Sequence, residues 1–583
     1  MTEKKWLIDT EPGARFPVLT RMNAADVLPD PISPLGASMA WIPHIMPGWA
    51  SGYAEAGAFR LSELLNENSA VAGFFYGYLY VNQSTVRTIG IRLGIGWEAV
   101  DAAFFAGTDA PPHQTRPDDV DEAQGAAMGA RAQWALTATD YPELEEARAL
   151  ADACRAQRPR LSALSPAALV ARARSLMPIQ RYLWRTHTVA SNQTAVGPGV
   201  IAQMLGEAAP GLMTRLIGTA GDVDSAAPAL ALWDLSRTVR NDPALTATFD
   251  KAVDGGIAGL AERLDADHPQ FWSQFADFLR DYGYRGPSEW DLGAPAWESR
   301  PELALALVER LRHRDDDASP RLAAARSEQD AKEAMSSALA LLADEEQKAT
   351  LQLAVASARR LGAWRERSKS NCVKVLHEAR MALLELGGRL VADGSLSDPA
   401  QVFLVLDSEL DLLVSDPASI AGLLPERERE WRALFEIEPP GTIDGSAPLP
   451  ALSSLPRRGA TTLAVAEPGA VLQGAAASAG TITGRARVIT STANVESFEP
   501  GEILVAPQTD PSWAPLFMVA GGVVVDTGAL NSHAMIVSRE LGIPCVAGLA
   551  GATQRIRTGT WLEVNGSAGT VTVLEGEPAP APA

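Results

Sequence analysis

A run of prolines divides this chain into two kinds of sequence. Between Pro439 and about Ala470, Pro439-Pro440-Gly441, Pro448, Pro450, Pro456 and Pro468 sit among Ser, Gly and Ala. Proline fixes φ and lacks an N–H, so such a stretch continues neither a helix nor a central strand. It reads as a linker over residues 439–469. About 30 extended residues at ~3.3 Å each would reach on the order of 100 Å. Before it the apolar period is helical. Leu303, Leu307 and Leu311 step by four; Met335, Leu339 and Leu342 step by four and three. Phe74–Tyr80 is ambiguous between a short strand and a buried helix. After the linker come short apolar runs, with strands expected at Gly484–Ile489, Ile503–Val505, Val523–Val525, Cys545–Ala547, Trp561–Val564 and Thr570–Leu574 and two helices among them. The expected fold is multidomain, a mostly α-helical N-terminal domain over 1–438 and a C-terminal β/β/α domain over 470–574. The Pro/Ala-rich tail, 575–583, is expected to be disordered.

The chain has 583 residues and a formal net charge of −21. That length holds several domains. That charge argues against nucleic-acid backbones and anionic membranes as partners. No segment has the long uncharged apolar run of a membrane span, and Met1-Thr2-Glu3-Lys4-Lys5 leads into no signal-like block. Cys154, Cys372 and Cys545 lie far apart, with no metal spacing and no disulfide framework. No metal site and a cytoplasmic setting are expected.

One stretch carries chemistry. Gly522-Val523-Val524-Val525-Asp526 reads as a buried strand. Thr527-Gly528-Ala529-Leu530-Asn531-Ser532-His533-Ala534 follows, then an apolar-periodic run to Leu541 and Gly542-Ile543-Pro544. His533 therefore sits where a strand joins the first turn of a helix. Backbone N–H groups and the positive end of the helix dipole meet a phosphoryl group there. The same environment disfavours imidazolium, leaving a nucleophilic imidazole. Thr527, Gly528, Asn531, Ser532 and Thr509 are the candidate phosphoryl-loop residues. Asn531 and Ser532 are equally ordinary helix N-caps, and Asp510 before Pro511 is another.

This segment resembles the phosphohistidine segment of the phosphoenolpyruvate-utilising enzymes, a family that includes phosphoenolpyruvate synthase, pyruvate phosphate dikinase and rifampicin phosphotransferase. Thr509-Asp510-Pro511-Ser512-Trp513-Ala514-Pro515 upstream and Ser538 to Gly548 downstream extend the match, and Gly484-Arg485-Ala486-Arg487-Val488 looks like the family's opening strand. Ala529 departs from it, since many members have a second Gly there. Phe16 to Asn23, Asp26 to Leu35, Tyr282 to Leu292 and Trp364 to Lys369 are similar to blocks of the substrate-binding domain in rifampicin-phosphotransferase-type proteins. The resemblance implies a swivelling phosphohistidine domain that carries a phosphoryl group on His533 to an acceptor-binding helical domain.

In that family an ATP-grasp domain loads the histidine. No Gly-rich phosphate loop precedes the acceptor-type domain here. A phosphoenolpyruvate barrel needs about 250 residues, and only nine follow Leu574. The donor site is therefore expected on a separate ATP-grasp subunit, with ATP and Mg²⁺ bound there and no cofactor held by this chain alone. Split phenol- and cresol-phosphorylating synthases of the family are organised in this way. The acceptor is expected to be a small hydroxylated, aromatic molecule. Trp41, Trp49 and Tyr76 within the Phe74–Tyr80 run are candidates to line its pocket, with hydrophobic core as the plainer reading. His187 is a candidate base for the acceptor hydroxyl. Arg285 is a candidate for charge stabilisation, or else a helix ion pair with Glu289. Arg365 and Lys369 share a helical spacing. The expectation is a subunit of a two-component, ATP-dependent, dikinase-like phosphotransferase. A phosphoenolpyruvate-linked phosphocarrier is one alternative. A non-catalytic protein that binds a hydrophobic small molecule, with a relic histidine domain, is another.

Overall fold

Tyr76 and Gly77 both take positive φ, 57° and 81°. Two successive left-handed residues match the twist of an antiparallel pair. Phe74–Tyr80 is accordingly a hairpin of β2 (Ala72–Phe75) and β3 (Tyr78–Asn82), with Phe75 opposite Tyr78. β3 also pairs with β1 (Val18–Thr20), and β1 with β4 (Thr442–Asp444), giving the order β2-β3-β1-β4.

β4 lies inside the stretch expected to be a linker, which corrects that expectation. The Tyr80 hydroxyl donates to Pro440 O at 2.8 Å and that of Tyr76 to Pro450 O at 2.7 Å. A proline-rich backbone has carbonyls to spare and few N–H groups, so the tyrosine hydroxyls hold it down. Further along, the amides of Ala466 and Gly469 donate to the carbonyls of Arg555 and Val573. The described part of 439–469 is thus tied at both ends. The structure, a computed structural model, describes residues 6–25, 27–105, 108–218, 227–255, 259–458, 463–490, 498–509, 513–528 and 532–576. Most of the expected disordered tail falls outside these residues.

The chain forms two compact units. The first comprises Met1–Thr194, Ser288–Ala294 and Arg367–Thr461, and the second Ala195–Pro287, Pro295–Glu366 and Thr462–Ala583. This differs from a single division at residue 438. The second unit joins helices to the C-terminal sheet through one apolar core that contains Trp297, Leu305 and Leu311 together with Phe517, Val523 and Val525. A helical period marks which face is buried, not what covers it.

In the first unit the helices that bear on function are α1 (Met46–Glu55) and α2 (Pro166–Gln193). Ser165 caps α2, its hydroxyl accepting from the Ala168 amide, and proline fills the first helical position. The second unit includes α3 (Ala227–Asn241), α4 (Pro301–Arg312) and α5 (Pro320–Ala340). The long helix α6 (Glu345–Ala392) contributes residues to both units.

The C-terminal sheet has eight strands in the order β5-β12-β11-β7-β8-β9-β10-β6. β7 (Thr481–Val488), β8 (Ile503–Ala506), β9 (Gly522–Val525) and β10 (Cys545–Ala547) form its parallel centre. β11 (Trp561–Asn565) and β12 (Thr570–Val573) add an antiparallel wing. All six expected strands are present. β5 (Val471–Gln473) and β6 (Ala475–Ser478) are additional, pairing with β12 and β10. Helices α7 (Ala514–Val519), α8 (His533–Leu541) and α9 (Ala552–Arg555) complete the β/β/α domain.

Candidate functional site

β9 is buried along its length, with parallel neighbours on both sides. Its exit is fixed to both of them. The Asp526 amide donates to Ala506 O at 3.0 Å, the Thr527 amide to Pro507 O at 3.1 Å, and the Leu549 amide to Val525 O at 3.0 Å. The Thr527 hydroxyl donates to the same Pro507 carbonyl. The Asp526 carboxylate accepts from the Thr553 amide and hydroxyl at the start of α9. Burial raises the Asp526 carboxyl above its ordinary range, and the Thr553 bonds pull the other way.

Gly528 has φ 154°, a conformation L side chains rarely adopt. A Cβ there would lie 3.0 Å from Ser532 Oγ and 3.1 Å from Ala547 Cβ. Ser532 is the N-cap of α8, with extended φ/ψ and 7% exposure, but its hydroxyl makes no cap bond. His533 is the first residue of α8, as expected. Thr509 is buried on the segment that follows β8. Asn531 lies outside the described residues. The loop therefore leads from a central parallel strand into the N-terminus of a nine-residue helix. That is the end of a helix that favours anions.

The first unit holds a separate aromatic cluster. His187, on α2, lies with Nδ1 2.9 Å from Ser368 Oγ on α6. Its ring is 5.3 Å from that of Trp184 and 5.9 Å from that of Trp290. Trp184 also packs on Trp41, Trp49 and Trp290, at 5.4, 5.6 and 4.9 Å between centroids. Trp41 is fully buried in a π-helical segment, Gly36–Ile45, and its indole N–H donates to Trp290 O. Lys369 Nζ lies 3.4 Å from the buried Glu289 carboxylate and 5.9 Å from the Trp290 ring centre. Trp49, His187 and Lys369 are only half-buried, so this edge of the cluster meets solvent. The structure thus brings together His187, Trp41, Trp49, Glu289 and Lys369.

Tyr76 does not join them. It sits in the hairpin turn, in an apolar cluster with Leu19 and Ile443. Arg285 is buried in the second unit, its amide bonded to Tyr282 O and its guanidinium over the Tyr284 ring. The helical pairing of Arg285 with Glu289 is corrected, since both lie between Tyr282 and Pro301 outside any helix. Gly283, Gly286 and Pro287 end the helix there. Arg365 pairs with Glu366 at 2.9 Å. Trp184, Trp290 and Ser368 were not foreseen as part of the cluster. Trp184 lies three residues from His187, a helical neighbour spacing that points to it. Among the described residues no group of three or more His, Cys, Asp or Glu is arranged to hold a metal. None of the described helices is long and apolar enough to cross a membrane.

The profile described as PEP-utilising enzyme, mobile domain, matches residues 498–569, which contain β8 to β11 and α8. The profile described as rifampicin phosphotransferase fourth domain matches residues 186–366. The chain is thus similar to PEP-utilising enzymes over these two stretches. Its relatives include the prodigiosin synthesizing transferase PigC of Serratia marcescens, 31% identical over 375 residues, covering 63% of this chain and 41% of the relative. A rifampicin phosphotransferase of Streptomyces sviceus is 30% identical over 390 residues, covering 64% and 41%. An uncharacterized protein of Mycobacterium tuberculosis is 31% identical over 323 residues, covering 55% and 34%. The chain thus spans about two fifths or less of these relatives. His533 and its loop fall inside the mobile-domain match, whereas His187 and Arg285 fall inside the fourth-domain match.

Proposed function

We propose that this chain carries a phosphoryl group on His533 and passes it to the hydroxyl of a small aromatic molecule held at the tryptophan cluster. It would be the carrier and acceptor part of a dikinase-like phosphotransferase. One observation carries this reading: residue 533 opens α8 at the end of a central parallel strand, within the mobile-domain match. The names of two relatives, both rifampicin phosphotransferases, support phosphoryl transfer to a small molecule. The first step joins an imidazole nitrogen of His533 to phosphorus as a P–O bond of the donor breaks. In the second, the acceptor oxygen bonds phosphorus as the N–P bond breaks. The acceptor proton passes to His187, whose ring Ser368 orients. Catalysis is then positioning plus charge stabilisation by groups such as Lys369. The donor is ATP with Mg²⁺ on a separate ATP-grasp subunit, and the setting is cytoplasmic.

Radiolabelled ATP and radiolabelled phosphoenolpyruvate, each offered with a candidate partner, test the reading. Wild type is expected to take an acid-labile label from ATP, and His533→Ala to lose both label and ester. Retention of either by that variant sinks the reading. Label arriving only from phosphoenolpyruvate assigns the phosphocarrier alternative instead.

A further inference from the structure

We infer that Ser532 is a positioning residue for the phosphoryl group, its hydroxyl kept free of other bonds so that it can donate to an oxygen carried on the next residue. This rests on the phosphoryl-carrier reading of His533.

A serine at an N-cap ordinarily accepts a hydrogen bond from an amide of the first helical turn. Ser532 has the backbone of an N-cap, φ −67° and ψ 156°, yet makes no such bond. Its Oγ is buried and has no hydrogen-bond partner among the described residues. A buried hydroxyl without a partner is uncommon and destabilising, because it gives up its bonds to water. Such a group calls for a ligand that is sometimes there.

Gly528 shows where the hydroxyl points. The position a Cβ would take on Gly528 is 3.0 Å from Ser532 Oγ. The hydroxyl therefore faces Gly528, just past the end of β9, and a side chain at 528 would crowd it. First-turn amides have no acceptor within their own helix. A dianionic phosphoryl group on residue 533 offers acceptor oxygens to those amides and to the Ser532 O–H at once. Hydrogen bonds to a charged oxygen are about twice as strong as neutral ones. The seryl proton stays on Ser532 throughout, so the residue holds the group and takes no part in bond making.

Phosphoramidate tests this on the full chain without any partner. The imidazole nitrogen bonds phosphorus as the P–N bond of phosphoramidate breaks, and ammonia leaves. Phosphohistidine is counted by phosphorus NMR in wild type, Ser532→Ala, Ser532→Thr and His533→Ala, the last giving the background from other histidines. Ser532→Ala is expected to lower occupancy at position 533 about tenfold, as loss of one charge-assisted bond implies. Ser532→Thr is expected to restore most of it. The melting temperature of Ser532→Ala should hold or rise, since the variant removes an unsatisfied polar group. Wild-type occupancy in Ser532→Ala, or a lowered melting temperature, overturns the inference and leaves an ordinary structural serine. Equal labelling of wild type and His533→Ala instead overturns the carrier reading itself.

Discussion

The carboxylate of Asp526 holds Thr553 by two hydrogen bonds, 2.8 Å from its amide and 2.5 Å from its hydroxyl. This ties the exit of β9 to the start of α9, just before the loop that leads to His533. Burial nonetheless raises the Asp526 carboxyl. A raised carboxyl binds its proton more readily in the folded state than in the unfolded one. Stability from this group is thus fully present below the ordinary carboxylate value and is lost as pH rises through the raised folded value. Asp526→Asn keeps an acceptor for the Thr553 amide and removes the titration. It is expected to melt at or above wild type near neutral pH, with a flatter profile as pH rises above the ordinary carboxylate range. A steeper fall with pH in the variant would contradict this.

His187 and Ser368 give a prediction that separates the two halves of the reaction. His187→Gln is expected to slow ester formation by roughly 10²- to 10⁴-fold, the usual share of general base catalysis. Ser368→Ala, which only frees the ring to turn, is expected to cost roughly tenfold and to shift the pH dependence of turnover. In both variants labelling of His533 by the donor should match wild type. Acceptor turnover in single-turnover mixing, with label measured in parallel, checks both outcomes. Loss of labelling in His187→Gln would remove His187 from the acceptor step.

Much of the C-terminal domain was legible because its central strands are short runs such as Val523–Val525, bounded by glycine and polar residues. β5 and β6 were not. Ala475–Ser478 has no β-branched residue, and its pairing with β10 is made by backbone groups that any sequence offers. β4 was hidden likewise, inside a proline-rich stretch whose partner, Val18–Thr20, lies more than four hundred residues earlier. His533 was legible because a strand, a loop and a helix start are all local signals. The tryptophan cluster was not, since Trp41, Trp184 and Trp290 meet only in three dimensions. Arg285 and Glu289 were misread by spacing alone, although Gly283, Gly286 and Pro287 were in plain view.

Lys369 and Glu289 face each other at 3.4 Å, with the carboxylate buried. Removing one partner of such a pair costs more than removing both, because a buried charge is left under-compensated. Lys369→Met is expected to destabilise the first unit by roughly 2–3 kcal/mol. The double variant Lys369→Met with Glu289→Gln should recover about half of that loss. Urea unfolding of wild type, Lys369→Met, Glu289→Gln and the double variant gives the coupling. Additive losses would show that the two side chains do not sense each other.

Gly566 offers the sharpest test of the C-terminal sheet. It follows β11, where β6 and β10 pass closest. A Cβ on it would lie 1.8 Å from Ser478 O and 2.7 Å from Cys545 N. Both are backbone atoms of paired strands, so no side-chain rotation relieves the clash, and β6 and β10 must part. Gly566→Ala is expected to cost about 3 kcal/mol. It should also reduce phosphohistidine labelling, because β10 is the parallel neighbour of β9. Gly559 is the matched control, with φ 89° and nothing within 4 Å of its built Cβ. Gly559→Ala carries only the backbone penalty of a left-handed residue, about 1 kcal/mol. Denaturant unfolding of both variants against wild type measures the difference. Equal losses at the two positions would mean that β6 and β10 are not held against Gly566 as the sheet register requires.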